Sequence, residues 1–257
     1  MAALTAEHPT LIWLTQNEPT LLNTHTALIG DDGWADGRSG VGFLNAPGRM
    51  KDHRLIAELI GLTEEEIVAK FGELVEEYEN SITEPPLRFD NDDSFLRWTT
   101  VALLKSHGPN EQWLSQKFAQ ESKLADEQVA AKLAELGDES VAAIISQLNS
   151  LPETITEVVV ATHIPPFEEA CLFQGQPTSP DYLPYFCNLT MGAALIEHVE
   201  QHPNRHLTVL CGHTHDRAYC QPHERVIVHT AGADYGSPNV AGAVTVDNSG
   251  VSVESPR

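Results

Sequence analysis

The sequence is poor in basic residues and contains no long apolar run. Fifteen Lys and Arg stand against 37 Asp and Glu, which gives a formal net charge of -22. Such an acidic chain repels nucleic-acid backbones and anionic lipid surfaces, so we expect neither as a partner. A membrane span needs roughly 18 consecutive apolar residues, and no such run occurs. Residues 1–20 contain no Lys or Arg and no unbroken apolar stretch as long as the h-region of a signal peptide. No secretion signal is therefore predicted, and we expect a cytoplasmic protein.

Cysteine is also scarce. The four cysteines show no C-x-x-C spacing, which favours reduced thiols over a disulfide framework or a cysteine-type zinc site. They are Cys171, Cys187, Cys211 and Cys220. With 257 residues, 41% of them hydrophobic, the chain can bury a sizeable core as one large domain or two small ones.

The first half of the chain changes from strand-like to helix-like patterning. Up to about residue 45, short apolar runs at 11–14, 20–22 and 26–29 predict strands. From about residue 51 to 150 the apolar spacing is helical. Predicted helix starts are a capping box from Thr63 to Glu66, an N-cap at Asp93 with a stop at 108–109, and a further start at Asp138.

The last third of the chain predicts a parallel sheet with a functional edge. An apolar strand at 157–162 ends at His163, and a proline-rich irregular stretch follows at 164–188. A helix at about 190–201 and a strand at 206–211 come next. Strand, crossover helix and strand in this order predict parallel neighbours, whose carboxyl ends lie on one edge. Ligands bind at that edge in open α/β sheets.

Histidines follow both predicted strands at this edge. After the second strand comes Gly212-His213-Thr214-His215, in which two histidines one residue apart can point to the same side. We expect Gly212 to allow a tight turn that a Cβ would block. Together with His163, these imidazoles would suit zinc, manganese, iron or cobalt. His229 lies within a strand-like run, 226–230, and is read as a hydrogen-bonded strand residue.

These motifs resemble a known family. Thr162-His163-Ile164-Pro165-Pro166-Phe167, Cys211-Gly212-His213-Thr214-His215 and the segment 231–236 are similar to the C-terminal half of calcineurin-like metallophosphoesterases. The segment 30–38, GDDGWADGR, resembles one bacterial subgroup. The resemblance covers essentially the whole chain. It implies a four-layer α/β/β/α sandwich, two divalent metals, and phosphate ester hydrolysis by a metal-bridging hydroxide. It also implies that His163 and His213 bind one metal and His215 the other.

The chain departs from the family pattern at its start. The Asp-x-His motif, the bridging Gly-Asp motif and the Gly-Asn-His motif, which carries the proton donor, are absent. Gly30-Asp31-Asp32 has the form of the bridging motif but stands at the subgroup's own later G-x-D-G-W segment, and the alternative is a turn in which Asp31 and Asp32 cap local amides. We expect a single domain over 1–257, truncated at the N-terminus by about three strands, with the helical segment at about 51–150 inside it.

The function predicted from the sequence is a metal-dependent phosphoesterase that is weak or inactive because those motifs are missing. Two metals (Mn, Fe or Zn) are implied for the full family pattern, and one is possible with three imidazoles. Arg38 and Arg217 are candidates for contacting a small phosphorylated substrate or a phosphoprotein. The alternatives are a non-catalytic descendant that binds a metal or a partner, and a three-histidine zinc hydrolase that acts on a carbonyl.

Overall fold

A computed structural model describes residues 12–15, 18–47, 124–234, 237, 239–247 and 250–254, with positions 63, 66, 69, 70, 72–74, 76 and 77 between them. The chain divides into two compact units. One consists of residues 1–48 and 133–257, and the other of residues 49–132.

The unit of residues 49–132 is described at a few helical positions. The predicted capping box is confirmed: the Thr63 N–H donates to Glu66 Oε2 at 2.8 Å, and the Glu66 N–H donates to Thr63 Oγ1 at 3.2 Å. Leu74, which lies about two helical turns after Glu66, is buried. The helix predicted to start near Asp93 lies outside the described residues.

The larger unit is built on a mixed sheet, which confirms an α/β architecture. Its strands lie in the order β1-β2-β3-β6-β8-β7, with two separate two-stranded sheets formed by β4 with β5 and by β9 with β10. The strand bounds are β1 Thr20–Leu21, β2 Thr26–Asp31, β3 Glu157–Thr162, β4 Leu172–Phe173, β5 Gln176–Pro177, β6 His206–Cys211, β7 Ala218–His223, β8 Val226–Thr230, β9 Ala243–Asp247 and β10 Gly250–Glu254.

The centre of this sheet is parallel. β2 pairs with β3, β3 with β6 and β6 with β8, all in parallel register, while β1 and β7 are antiparallel edges. The predicted strands at 157–162 and 206–211 and their parallel pairing are confirmed. The physical reason is that both runs are mainly apolar, uninterrupted at 158–161 and broken only by Thr208 within 207–211, as strands covered on both faces require.

Two longer helices cover one face of the sheet. The helices are α1 Asp126–Ser150, α2 Leu183–Phe186 and α3 Leu189–Gln201. Ile144 and Leu148 of α1 and Leu195 and Val199 of α3 are fully buried in one cluster with the sheet. Burial of each such side chain contributes roughly 1.5–3 kcal/mol. The sheet contributes Ala27, Ile29, Val158, Val160, Leu207, Val209, Val226 and Val228 to that cluster.

The predicted helix start at Asp138 is wrong. The helix begins at Asp126, and Gly137 lies inside it instead of ending it. A Cβ at Gly137 would lie 2.7 Å from Cβ of Asp36, so this glycine serves a close approach between segments. The predicted strand at 11–14 is also wrong for residues 12–14, which form no regular element.

The predicted irregular stretch at 164–188 contains short elements. It holds a 3₁₀ turn at Glu168–Ala170, the β4-β5 hairpin and α2. The four-layer sandwich and the single-domain organisation stay predictions. Among the described residues, no helix is both long and apolar enough to span a membrane.

Candidate metal-binding rim

The carboxyl ends of the parallel strands meet at one edge, which we call the rim. It comprises the last residue of β2 with the two after it, 31–33, and the residues that follow β3, β6 and β8, which are 163, 212–215 and 231–233. Backbone hydrogen bonds tie neighbouring segments together: His163 N to Asp32 O at 3.2 Å, Gly212 N to His163 O at 3.0 Å, and Ala233 N to His215 O at 2.9 Å. The predicted convergence of the segments that carry His163, His213 and His215 is thus present in the backbone.

Both histidines of the G-H-T-H segment have left-handed backbone conformations. The φ angle is 70° at His213 and 64° at His215. Residues with a Cβ rarely adopt this region, and such backbone strain concentrates at functional sites. The role expected for Gly212 is wrong, because a Cβ there would meet nothing within 4 Å. The left-handed conformations of this turn are instead those of the two histidines.

The imidazoles of His163 and His213 lie side by side. Nδ1 of His213 is 3.0 Å from Nε2 of His163, and the rings meet edge-on with centroids 4.8 Å apart. The other nitrogen of His213, Nε2, lies 3.0 Å from the carbonyl oxygen of Tyr185. A carbonyl only accepts, so Nε2 carries the proton and Nδ1 presents a lone pair toward His163.

Burial keeps His213 neutral. Burial first, and repulsion from His163 second, together lower the pKa of His213 to about 4. The Phe186 ring lies against the His213 ring with centroids 5.1 Å apart and excludes water from that side. A neutral imidazole that donates its one N–H to a backbone carbonyl and keeps the lone pair of its other nitrogen has the form found in histidines that bind metals.

The rim fits one metal ion only in part. Two nitrogens bound to the same ion at 2.0–2.1 Å lie roughly 3.3 Å apart in tetrahedral geometry, which is close to the His163–His213 separation. Within the described ranges, however, no three His, Cys, Asp or Glu side chains form a group that could hold an ion. The structure therefore joins His163 with His213 but does not add the His215 ring to them. The pair of ions that the family resemblance implied is not matched by the described side chains.

Asp31 and Asp32 are engaged in local bonds. Oδ1 of Asp31 accepts a hydrogen bond from Gly33 N at 3.0 Å, and Oδ1 of Asp32 accepts one from Trp13 Nε1 at 3.4 Å. The first is the turn-capping arrangement considered from the sequence. Gly33 has a φ of 74°, and a Cβ there would collide with Thr162 Oγ1. The turn therefore requires glycine at this position.

The guanidinium of Arg38 is bound within the protein. Nη1 and Nη2 donate to the two carboxylate oxygens of Asp138 at 2.6 and 2.8 Å, and Nη1 also lies 2.7 Å from Thr190 Oγ1. Its hydrogen bond to Asp138 lowers the pKa of that carboxyl group. This fork-to-fork pair links the segment after β2 to α1 and to the start of α3, which is a structural task. A contact between Arg38 and substrate stays a prediction.

Arg217 has a different environment. It is exposed, forms no ion pair with the described part of the chain, and lines a cavity of about 420 Å³ beside the rim. Gly232 of the rim lies directly under it, because a Cβ at Gly232 would be 2.9 Å from Arg217 Cγ. Of the two arginines predicted to contact substrate, Arg217 is the one left available.

Two buried polar residues that support the rim were not anticipated from the sequence. Oδ2 of Asp36 accepts hydrogen bonds from Thr190 N and Thr190 Oγ1 at 3.1 and 3.0 Å. Oδ1 of Asn188 accepts one from Met191 N at 2.8 Å and so caps α3. The sequence signal for Asn188 was its position just before an apolar helical pattern. Asp36 offered no such signal, because its partner is 154 residues away.

The cysteines are confirmed as free thiols. Three are buried, and burial raises the pKa of Cys211 to about 12. The pKa of Cys171 is raised by its hydrogen bond with Cys187 and by burial. Neutral, buried thiols of this kind are poor nucleophiles and poor metal ligands.

No protein-family model and no curated protein matches the sequence. Among solved structures, the chain is similar to the crystal structure of a dimetal phosphatase from Danio rerio, with a TM-score of 0.34 and 12% sequence identity. The similarity covers 83% of this chain and 48% of that one, so the chain matches about half the length of the Danio rerio protein.

Proposed function

We propose that the protein is a metal-dependent phosphoesterase whose rim holds a divalent transition-metal ion, Mn, Fe or Zn, between His163 and His213. The observation that carries the proposal is the 3.0 Å separation of Nε2 of His163 and Nδ1 of His213 at the carboxyl edge of a parallel sheet. The left-handed backbone at His213 and His215 supports it, since such strain is typical of functional sites.

In this proposal the chain's own groups orient the ligand set. The Tyr185 carbonyl fixes the tautomer of His213, and the bond from Gly212 N to His163 O holds the two strand ends together. His215 follows two residues after His213 and would complete the set by a change of side-chain rotamer. A bound dication would supply charge neutralisation of a phosphoryl group and activation of water.

The acidic composition selects the kind of substrate. With a net charge of -22, the molecule repels extended polyanions over most of its surface. A small phosphate ester, or one phosphorylated side chain on a protein, presents its charge only where a metal ion neutralises it. We therefore propose a compact phosphate monoester or diester in preference to a nucleic acid.

A second candidate is a non-catalytic site that binds one metal ion or a partner. Two imidazoles without a third neighbouring ligand in the described structure favour this alternative. Two ligands give weaker binding than the three or four of a catalytic or structural zinc site. In both candidates the site binds a metal ion, but only the phosphoesterase hydrolyses a substrate.

The test compares metal binding with hydrolysis in the same preparation. The protein is stripped with EDTA, reloaded with Mn²⁺, Zn²⁺ or Co²⁺, and assayed with p-nitrophenyl phosphate and p-nitrophenyl acetate. His213→Asn is the variant of interest. His206→Gln is the matched control, because His206 lies at the amino end of the strand whose carboxyl end leads to His213, and it is exposed.

Each result assigns a function. Phosphate hydrolysis that needs metal, is lost in His213→Asn and is kept in His206→Gln supports the phosphoesterase. Metal bound at one ion per chain and lost in His213→Asn, without turnover of either ester, supports the non-catalytic site. Hydrolysis of the acetate alone supports a carbonyl hydrolase. Metal binding that is unchanged in His213→Asn contradicts the site.

A further inference from the structure

A cavity beside the rim has the features of a ligand pocket. Its volume of about 420 Å³ lies within the range of small-molecule sites, roughly 300–1,000 Å³. One wall is the face of the sheet opposite α1 and α3, formed by Leu210, His229 and Tyr219. The opposite wall is the C-terminal hairpin, with Val244 of β9 and Val253 of β10.

The sheet wall is aromatic at one end. His229 is paired in register with Leu210 on one side and with Tyr219 on the other, so the three side chains form a row on one face. The rings of Tyr219 and His229 meet edge-on with centroids 5.2 Å apart. Tyr219 nevertheless remains 60% exposed and Val244 40% exposed, which leaves apolar surface available to a ligand ring.

Among the described residues that line the cavity, the one cationic side chain is Arg217, and it lies on the rim side. Arg217 lines the cavity together with Thr230 and Ala231, which continue directly into the rim segment 231–233. It makes no ion pair within the described residues, although the chain carries 37 acidic residues. An unpaired guanidinium next to an apolar cavity is complementary to a ligand with one anionic group on an apolar body.

We propose that this cavity binds the aromatic group of an aryl phosphate ester, with Arg217 paired to a phosphate oxygen at the rim. The proposal rests on the phosphoesterase function above and names its substrate class. The ring lies against Tyr219 and between Leu210 and Val244, and the phosphate points to the edge where His163 and His213 meet. Tyr219 favours an aromatic over an aliphatic ester, because ring contacts add to the area buried.

The test measures binding apart from turnover. Binding of 1-naphthyl phosphate is followed by its fluorescence in EDTA. 1-Naphthol, which lacks the phosphate, is measured in the same way. Methyl phosphate, which lacks the ring, is measured by its displacement of 1-naphthyl phosphate. Val244→Trp fills the cavity from the exposed hairpin, where the risk to folding is small. Thr245→Trp is the matched control, because the neighbouring residue of a strand points to the opposite face.

Wild type is expected to bind 1-naphthyl phosphate more tightly than methyl phosphate. Val244→Trp should weaken binding about tenfold or more, whereas Thr245→Trp should leave it unchanged. Arg217→Gln should weaken the binding of 1-naphthyl phosphate about tenfold, because a charge-assisted hydrogen bond is lost. The same variant should leave the binding of 1-naphthol unchanged. Arg217→Lys should restore part of the affinity. Circular dichroism confirms that each variant is folded.

Failure of this proposal can be told apart from failure of the phosphoesterase assignment. Metal-dependent hydrolysis with equal affinity for 1-naphthyl phosphate in wild type, Val244→Trp and Arg217→Gln would overturn the cavity assignment and leave the phosphoesterase standing. The expected binding pattern in EDTA without hydrolysis in any metal would keep the cavity as an aryl phosphate site and remove the phosphoesterase. No binding of 1-naphthyl phosphate to wild type overturns the cavity assignment outright.

Discussion

Nη1 of Arg205 lies 3.0 Å from Nε2 of His198, and both side chains are buried. The same guanidinium donates to the carbonyl oxygens of Leu148 and Pro152 at 3.0 and 3.4 Å, at the C-terminal end of α1. Because Arg205 only donates hydrogen bonds, Nε2 of His198 must accept one and the imidazole must be neutral. The Arg205 guanidinium therefore caps the C-terminal end of α1, and its hydrogen bond to His198 of α3 requires that histidine to be unprotonated.

This arrangement predicts loss of stability in mild acid. Burial, together with repulsion from His202 and Arg205, lowers the pKa of His198 from its ordinary value of 6.5 to about 4. The contribution of the neutral form is complete above pH 6.5 and is lost as the pH falls toward 4. The free energy of unfolding should therefore be about 2 kcal/mol smaller at pH 5 than at pH 7.5 through this group.

Urea unfolding of wild type and His198→Gln at both pH values measures the effect. Glutamine can still accept the hydrogen bond from Arg205 but does not titrate, so the pH dependence should shrink by most of that amount. The exposed His206→Gln should keep the wild-type dependence. An equal acid response in wild type and His198→Gln would contradict the assignment.

The side chain of Gln147 forms hydrogen bonds with the part of β2 that extends beyond its pairing with β1. Nε2 of Gln147 donates to Gly30 O at 2.9 Å, and Oε1 accepts from Gly30 N at 3.3 Å. Gln147→Met keeps the side-chain shape but leaves both backbone groups of Gly30 without this partner. The expected loss is about 1–3 kcal/mol in the free energy of unfolding, measured by urea denaturation. Gln201→Met, at an exposed glutamine of α3, should change it by less than about 0.5 kcal/mol.

Asn188 joins three segments and should be sensitive to loss of its amide donors. Besides capping α3, its Nδ2 donates to Trp34 O at 2.8 Å and to Gly137 O at 3.2 Å. Asn188→Ala removes the cap and both donors, and should cost about 2–3 kcal/mol. Asn188→Asp keeps the capping oxygen but places a carboxylate beside two carbonyl groups, so it should rescue little. Thermal unfolding of both variants separates the cap from the donors, and a wild-type melting temperature in Asn188→Asp would show that the donors do not matter.

The left-handed backbone at His215 predicts a trade between stability and function. His215→Gly relieves a conformation that costs a residue with Cβ about 1–2 kcal/mol, offset by about 0.5–1 kcal/mol of glycine entropy. The free energy of unfolding of the variant should therefore equal that of wild type or exceed it by up to about 1.5 kcal/mol, while the proposed metal-dependent phosphatase activity falls. His229→Gly, made in the extended strand β8, gains no such relief and should be clearly less stable. A His215→Gly variant that loses as much stability as His229→Gly would contradict the strain at this position.

Several elements could be predicted because their signals are local. An uninterrupted apolar run predicts β3 and a mainly apolar run predicts β6. The spacing of apolar residues predicts α3, and Thr63 with Glu66 forms the predicted capping box. The order of these elements, with a crossover between two strands, is enough to bring residue 163 and the segment 212–215 to the same edge. The chemistry expected at that edge follows from the residue types alone.

The tertiary structure decided what those residues contact. Arg38 is not available to bind a ligand, because Asp138, 100 residues away in the sequence, binds its guanidinium. The glycine at position 137 inside α1 is explained by Asp36, a residue of a distant segment that leaves no room for a Cβ there. The structure brings the rings of His163 and His213 into contact, and among the described residues no group of three possible metal ligands forms. The sequence by itself determined the strands, the helix and the edge where they converge, since these depend on neighbours in the chain. Contacts made across the fold decided which side chains meet there, and no local pattern encodes them.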